Sequence, residues 1–274
     1  MAKYGMVIDC NKCNGCYNCF LTCRDEFAGN EYPGYAAAQP MAGQNWIRVI
    51  ERERGRYPKV KVSYYPVTCA QCEDAPCIKA AENNAVYRRP DGIVIIDPVK
   101  ARGQKQIVLA CPYRVIDWNE ELQVPQKCLL CAHMLDRGEK EPRCVESCPT
   151  GALVFGDMDD PNSAISRLLA KSKTEVLHPE YGLEEKVRYI SLPRRFVAGT
   201  VIYGDKDECA GGVEVTLSHD GKTQKTTTNG FGDFEFEGLA ADTEYTLKIA
   251  AKGYKPQELK ALTKVDVYLG EIVL

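Results

Sequence analysis

Alternation of apolar and polar side chains marks the last part of the chain. In Val213-Glu214-Val215-Thr216-Leu217, Asp233-Phe234-Glu235-Phe236 and Tyr245-Thr246-Leu247-Lys248-Ile249 every second residue is apolar, the period of a strand with one buried face. Thr200 to Tyr203 reads as a further strand, and Asp220-Gly221 and Asn229-Gly230 are turn pairs between strands. Residues 196–274 are therefore predicted as an all-β sandwich or small barrel, about eighty residues long and within the usual domain range.

Upstream the pattern changes. Over residues 156–195 a helix and linker are predicted: Asp160 is a candidate N-cap, Pro161 suits the first helical position, and Ile165, Leu168 and Leu169 share one face. Residues 1–155 hold short apolar pieces such as Gly92-Ile93-Val94-Ile95-Ile96, with room only for short helices after each cysteine motif. That mixture predicts a ferredoxin-like α+β domain. The stretch from Arg24 to Thr68 reads as a long inserted loop. Its Tyr32, Tyr35, Trp46 and Tyr57 either cover a partner or a cofactor, or form a small core of the loop's own.

Composition sharpens this picture at one point. The chain has 274 residues, 45% of them hydrophobic, enough for one large domain or two ordinary ones. Fourteen cysteines is the outlying number. The N-terminal MAKYGMVIDC has no apolar signal region and runs straight into a cysteine motif, so the expected compartment is the cytoplasm, where thiols persist and clustered C-x-x-C spacing means metal ligation. A net charge of −3 and a pI near 5.8 give no footprint for nucleic acid, and no apolar run reaches the length of a membrane span. We find no nucleophile–base pair, no dinucleotide-binding glycine fingerprint and no phosphate loop.

The cysteines form four groups that echo one another in pairs. Ile8-Asp9-Cys10-Asn11-Lys12-Cys13 is echoed by Ile96-Asp97-Pro98-Val99-Lys100-Ala101, and at that offset Cys13, Cys16, Cys19 and Cys23 align with Ala101, Gln104, Ile107 and Cys111. A second echo aligns Cys69, Cys72, Cys77 and Ala81 with Cys128, Cys131, Cys144 and Cys148. Residues 1–155 thus read as two half-domains, each with two ligand motifs, from which four ligand positions have been lost.

A cubane [4Fe-4S] cluster has an iron at each of four corners and needs four converging thiolates, three from a tight loop and one from elsewhere in the chain. The first group, Cys13-x2-Cys16-x2-Cys19-x3-Cys23, has the spacing of two-cluster ferredoxins, in which the fourth cysteine ligates the other cluster. Cys111-Pro112 and Cys148-Pro149 carry the proline that often follows such a cysteine. If partner motifs exchange fourth ligands, only one pairing completes all three surviving triads. It assigns Cys13, Cys16, Cys19 and Cys148 to a first cluster, Cys23, Cys128, Cys131 and Cys144 to a second, and Cys69, Cys72, Cys77 and Cys111 to a third. Ala81, Ala101, Gln104 and Ile107 then all fall at a single lost cluster. Structural zinc sites are the competing reading, but their ligands usually come as spaced C-x2-C pairs rather than triads.

Cys10 and Cys209 stand outside the scheme and read as ordinary small residues. His133 is placed either to tune a cluster or to serve the local packing, and Lys127, Arg143 and Arg114, beside ligand positions, either offset cluster charge or face water.

These motifs resemble the iron–sulfur subunits of the molybdopterin enzymes of the dimethyl sulfoxide reductase family, over residues 1 to about 155. The departure at Ala81, Ala101, Gln104 and Ile107, joined to a C-terminal β-domain, resembles the small subunits of that family's anaerobic phenol hydroxylases, dehydroxylases and hydroxyl-transferring enzymes. Val197 to Leu274, with Gly199-Thr200-Val201, Gly232-Asp233-Phe234 and Gly253-Tyr254, looks like a carboxypeptidase-regulatory or Cna-B type of β-sandwich. The resemblance implies a large partner subunit carrying molybdenum or tungsten on a bis-pterin cofactor, with this chain moving electrons and making no bond-breaking contact. Two other readings compete: a relay of a respiratory reductase or dehydrogenase linked to a quinone, and a scaffold whose β-domain recruits a partner.

Overall fold

The computed structural model describes residues 2–274, and the chain divides into two compact units, Met1–Glu51 with Tyr64–Leu192, and Arg52–Ser63 with Pro193–Leu274. All twelve cysteines singled out above lie in the first unit.

The first unit is built on a three-stranded sheet. Its central strand Tyr4–Asp9 pairs antiparallel with Leu153–Asp157 and parallel with Val187–Ile190. Met6 and Ile8, both fully buried, anchor a core with Phe27, Trp46, Leu130 and Met134. A two-stranded ribbon, Val86–Arg88 with Val94–Ile96, sits over a second core of Val86, Val94, Ile96, Ala101, Ile107 and Ile116. Ile8 pairs with Leu153, and Ile96, aligned with Ile8 in the first sequence echo, pairs with Val86, aligned with Leu153 in the second. The helices are short, as the spacing of the cysteine motifs requires: Asn18–Phe27 has ten residues, while Pro76–Ala80, Gln106–Leu109, Ala132–Leu135 and Arg143–Glu146 have four or five.

Two expectations change here. The segment 156–195 is more than helix and linker, because its strand Val187–Ile190 completes the central sheet. Its helix, Ala164–Lys171, starts later than expected: Ser163 is the N-cap, its Oγ accepting from Ser166 N at 3.1 Å, while Asp160 is used in the preceding turn. Ile165 is fully buried there, with Leu168 and Leu169 half-buried. The stretch Arg24–Thr68 is likewise no simple loop. It contains a hairpin, Ile47–Arg56 with Lys59–Thr68, whose alternating Lys59-Val60-Lys61-Val62 was the signal in the sequence. Its first part is fastened by Arg24, whose guanidinium donates to Gln39 Oε1 and to the carbonyls of Pro40, Met41 and Gln44. Trp46 is buried against Phe27 with ring centroids 4.6 Å apart, whereas Tyr57 is 89% exposed.

The second unit is a β-sandwich. One sheet has Arg195–Tyr203 flanked by Asp233–Leu239 and, in parallel, Val267–Val273, with the short Glu208–Cys209 at its edge. The other runs Lys222–Thr227, Glu214–His219, Glu244–Ala250, Gln257–Leu262. Alternating Val215, Leu217, Phe234, Phe236, Leu247 and Ile249 face inward between them. Asp220 and Gly221 both have positive φ, 46° and 73°, and join strands in which His219 pairs with Lys222; this is the two-residue turn whose twist matches that of the strands. Asn229 Oδ1 accepts from Phe231 N and Asp233 N to form the second turn.

Gly232 follows that turn with φ +78°, and a Cβ there would stand 2.2 Å from Val201 O. Clash and backbone conformation both exclude a side chain, so Gly232→Ala is expected to lower the thermal stability of the second unit by at least about 2 kcal/mol. Differential scanning calorimetry of the full chain measures this.

Candidate metal centres

Each triad loop is shaped by the backbone before any metal is considered. In Cys13-Asn14-Gly15-Cys16, Cys69-Ala70-Gln71-Cys72 and Cys128-Leu129-Leu130-Cys131 the residue before the second cysteine is left-handed, with φ of 72° at Gly15, 52° at Gln71 and 49° at Leu130. Glycine takes this conformation freely, but Gln71 and Leu130 hold it at a cost of roughly 1–2 kcal/mol each. The turn curls each loop so that its cysteines face one point. Gly15 was legible as a turn residue; Gln71 and Leu130 carried no signal.

The twelve thiols gather in three places. Cys13, Cys16, Cys19 and Cys148 line one cavity, with Val49, Pro66 and Leu153 among the apolar residues around it. Cys23, Cys128, Cys131 and Cys144 line a second, walled by Met6, Phe27, Ile47 and Leu130. Cys69, Cys72, Cys77 and Cys111 line a third, walled by Val94, Pro112, Val115 and Ile116. All the cysteines are free thiols. Among the described residues, no three of His, Cys, Asp and Glu gather closely enough to hold a single metal ion.

Electrostatics shows how the cavities follow one another. Burial raises the Cys19 thiol to about 12, helped by repulsion from Cys13, Cys148 and Cys16 of its own set. Cys23 is raised strongly by burial, then by Cys128 and Cys131 of its set and by Cys19 of the first. Cys144 feels the same neighbours, Cys131, Cys128, Cys23 and Cys19, after burial. Cys128 is raised by burial and repelled by Cys69 of the third set. The second cavity therefore lies between the other two. Cys19 and Cys23, one turn apart on helix Asn18–Phe27, join the first step, and Cys128 faces Cys69 at the second. Cys148 is the exception in sign. Burial pushes it up, but N–H donors from Leu153, Ala152 and Thr150 and the Thr150 hydroxyl outweigh burial and lower it.

The four positions that lack cysteine are packed solid. Ala101 and Ile107 are fully buried in the core beneath Val86–Arg88 and Val94–Ile96, and Ala81 packs against it. Gln104 turns its amide to the backbone, with Oε1 accepting from Glu82 N at 2.9 Å and Nε2 donating to Lys100 O at 2.8 Å. Cys10 is half-buried against the main core without lining any of the three cavities, burial raising its thiol to about 12, and Cys209 is exposed in the second unit.

A polar network without a local sequence signal borders the second cavity. Glu26, reached from helix Asn18–Phe27, accepts from Tyr32 OH at 2.6 Å, His133 Nε2 at 2.9 Å and Arg143 Nε at 2.8 Å. Burial acts to raise the Glu26 carboxyl, but these three donors prevail and hold it at about 2. Burial holds His133 below its usual value despite the nearby carboxylate, so the imidazole is a neutral donor, and its other nitrogen, Nδ1, is buried without a partner among the described residues. His133 thus belongs to this network and to the rings of Tyr32, Phe27 and Tyr35.

A ferredoxin-like unit with three thiol-lined cavities in a row defines an iron–sulfur electron carrier. The comparisons make the class specific. Residues 60–158 match the 4Fe-4S dicluster domain, and residues 197–270 match the carboxypeptidase regulatory-like domain. The pyrogallol hydroxytransferase small subunit of Pelobacter acidigallici is 41% identical over 282 residues, covering 100% of both chains. A component of polysulfide reductase from Wolinella succinogenes is 35% identical over 70% of this chain and 95% of its own length, and the arsenate respiratory reductase iron–sulfur subunit of a Shewanella species is 30% identical over 69% and 96%. This protein belongs to the family of iron–sulfur electron-transfer subunits of molybdopterin oxidoreductases. No helix among the described residues is long and apolar enough to cross a membrane.

The depressed Glu26 carboxyl is a source of stability with a definite sign. A folded-state value below the ordinary 4.5 stabilises fully above pH 4.5, and the contribution, roughly 3 kcal/mol, is lost as the pH falls toward 2. Glu26→Gln should unfold at lower urea concentration at pH 7, with a smaller difference from wild type at pH 4; a difference that grows on acidification contradicts the assignment.

Proposed function

We propose that this chain holds three [4Fe-4S] clusters, one on Cys13, Cys16, Cys19 and Cys148, one on Cys23, Cys128, Cys131 and Cys144, and one on Cys69, Cys72, Cys77 and Cys111. Through them it exchanges electrons with a molybdenum or tungsten bis-pterin centre in a large catalytic subunit that acts on phenols. The observation that carries this reading is the set of three cavities in a row, each lined by four free thiols.

The donor set fits the group. Four sulfurs on one zinc ion at about 2.3 Å would draw within roughly 3.8 Å of each other, whereas four irons at the corners of a cubane hold their sulfurs further apart. Four thiols spread around the lining of each cavity suit that wider spacing. Burial and mutual repulsion raise most of these thiols, and metal coordination is what makes such groups ionise. A bound cubane supplies one-electron chemistry. The apolar walls keep water from it, and the N–H groups directed at Cys148 Sγ favour the ionised ligand. The matched pairing of Ile8 with Leu153 and Ile96 with Val86 supports a duplicated ferredoxin-like domain in which partner motifs exchange their fourth cysteine. Free thiols throughout suit a reducing compartment, the cytoplasm.

The phenol reading rests on coverage. The pyrogallol enzyme's subunit spans the whole of this chain, including the β-domain, whereas the respiratory relatives cover about seven tenths of it. The solid core at Ala81, Ala101, Gln104 and Ile107 also leaves no place for a fourth cluster to extend a relay toward a quinone.

Iron and acid-labile sulfide should each be found near twelve per chain, and Cys111→Ser should lose about a third of the iron or convert one spectroscopic signal, while Cys10→Ser and Cys209→Ser keep the full content. Zinc in place of iron, without sulfide, refutes the clusters. Purified with its large subunit, the protein should transfer hydroxyl groups between phenols or add or remove them; quinol-linked reduction instead would assign it to the respiratory class.

A further inference from the structure

Three cations flank the thiol cavities, and their surroundings differ. Arg143 is engaged by Glu26, Glu139 and Glu146. Arg114 is exposed. Lys127 is only 3% exposed, and its ammonium donates to Val94 O at 2.5 Å and to Cys128 O at 3.1 Å. Both partners are carbonyl dipoles, and among the described residues the ammonium forms no ion pair. Burying such a charge costs several kcal/mol, and a glutamine would satisfy the same two carbonyls without that cost. A charge kept under these conditions points to an anion close by.

The third cavity is where that anion would be. Lys127 lines it together with Cys69, Cys72, Cys77 and Cys111, and Lys127 is also the residue before Cys128 of the second set. Gln71, 1% exposed, reinforces the same junction: its Nε2 donates to Cys128 O at 3.1 Å while its Oε1 accepts from Val94 N at 2.8 Å. Cys128 O thus takes one hydrogen bond from the loop of the third set and one from Lys127. Burial raises the Cys77 thiol to about 11, and Lys127 is the first of the influences that pull it down. The charge opposing Lys127 at this cavity is Glu185, which acts on Cys72 and accepts from Tyr113 OH.

We propose that Lys127 is a potential-setting residue whose buried ammonium raises the reduction potential of the cluster on Cys69, Cys72, Cys77 and Cys111, so that electrons come to rest at that end of the row. The proposal deepens the three-cluster reading and depends on it. Reduction adds one electron to the site, delivered by the catalytic subunit in turnover or by dithionite in a titration. The ammonium acts as a fixed charge in buried surroundings, where an added negative charge would be stabilised more than at the surface.

The test is an EPR-monitored redox titration of the chain in complex with its catalytic subunit, with Cys111→Ser identifying the signal of the third cluster. Lys127→Gln keeps hydrogen-bond donors but removes the charge. The reduced-to-oxidised ratio of that cluster at fixed potential should fall at least tenfold, ~59 mV for a one-electron couple, while the cluster on Cys13, Cys16, Cys19 and Cys148 moves less than twofold. Lys127→Arg restores the charge and should return the ratio to within threefold of wild type. An unchanged ratio in Lys127→Gln, or an equal fall in both variants, overturns the proposal. If Lys127→Gln loses iron, Lys127→Arg decides alone: a ratio within threefold of wild type supports the role of charge, and a tenfold change overturns it. Failure of the three-cluster reading is seen separately, as wild-type iron and sulfide well below twelve.

Discussion

Sulfur gathered in fours, most of it buried or half-buried, is the constraint on which the first unit depends. Thiols that repel one another and are removed from water are unfavourable as anions unless a cationic centre lies between them, so the backbone must bring them together at some cost of its own. That cost is visible in the left-handed Gln71 and Leu130 and in helices too short to stand alone. With so much of the polypeptide committed to wrapping cavities, the hydrocarbon core is gathered into a few residues: Met6 and Ile8 on the central strand, Phe27 and Trp46 around them, and the ribbon over Ala101 and Ile107. Fold and thiol cavities are one structure here.

The row of cavities follows from two local connections. Cys19 and Cys23 are one helical turn apart and face different sets, so a single short helix spans two cavities. At the other junction Cys128, Lys127 and Gln71 connect the second and third sets through the backbone. Where a fourth site would continue the row, Ala101, Ile107 and the backbone-bonded Gln104 make ordinary core. Apolar side chains packed there carry none of the desolvation cost that a buried charge would.

Polar groups near the sulfur sites are arranged differently from those elsewhere. Glu26 has three donors on it and stays ionised next to the second cavity, and His133 stays neutral beside it. In the second unit, Asp266 is also buried and satisfied, accepting from Phe196 N and pairing with Arg54 and Arg195. Lys127 alone among the three cations beside the cysteines is both buried and, among the described residues, outside any ion pair.

The grouping of the cysteines into short triads was legible in the sequence, because C-x-x-C spacing acts over a few residues. The sandwich was legible for a similar reason: period-two alternation and the Asp220-Gly221 turn act over a few residues. Spacing says nothing about what lies beside a motif in space. The parallel strand Val187–Ile190 on the central sheet, the Glu26 network and the order of the three cavities join residues far apart in the sequence, so only the tertiary structure decided them. Lys127 shows the difference most clearly. As a lysine beside a cysteine it was one of three equivalent candidates, and only burial against Val94 and Cys128, which no local pattern encodes, separated it from the two more exposed arginines.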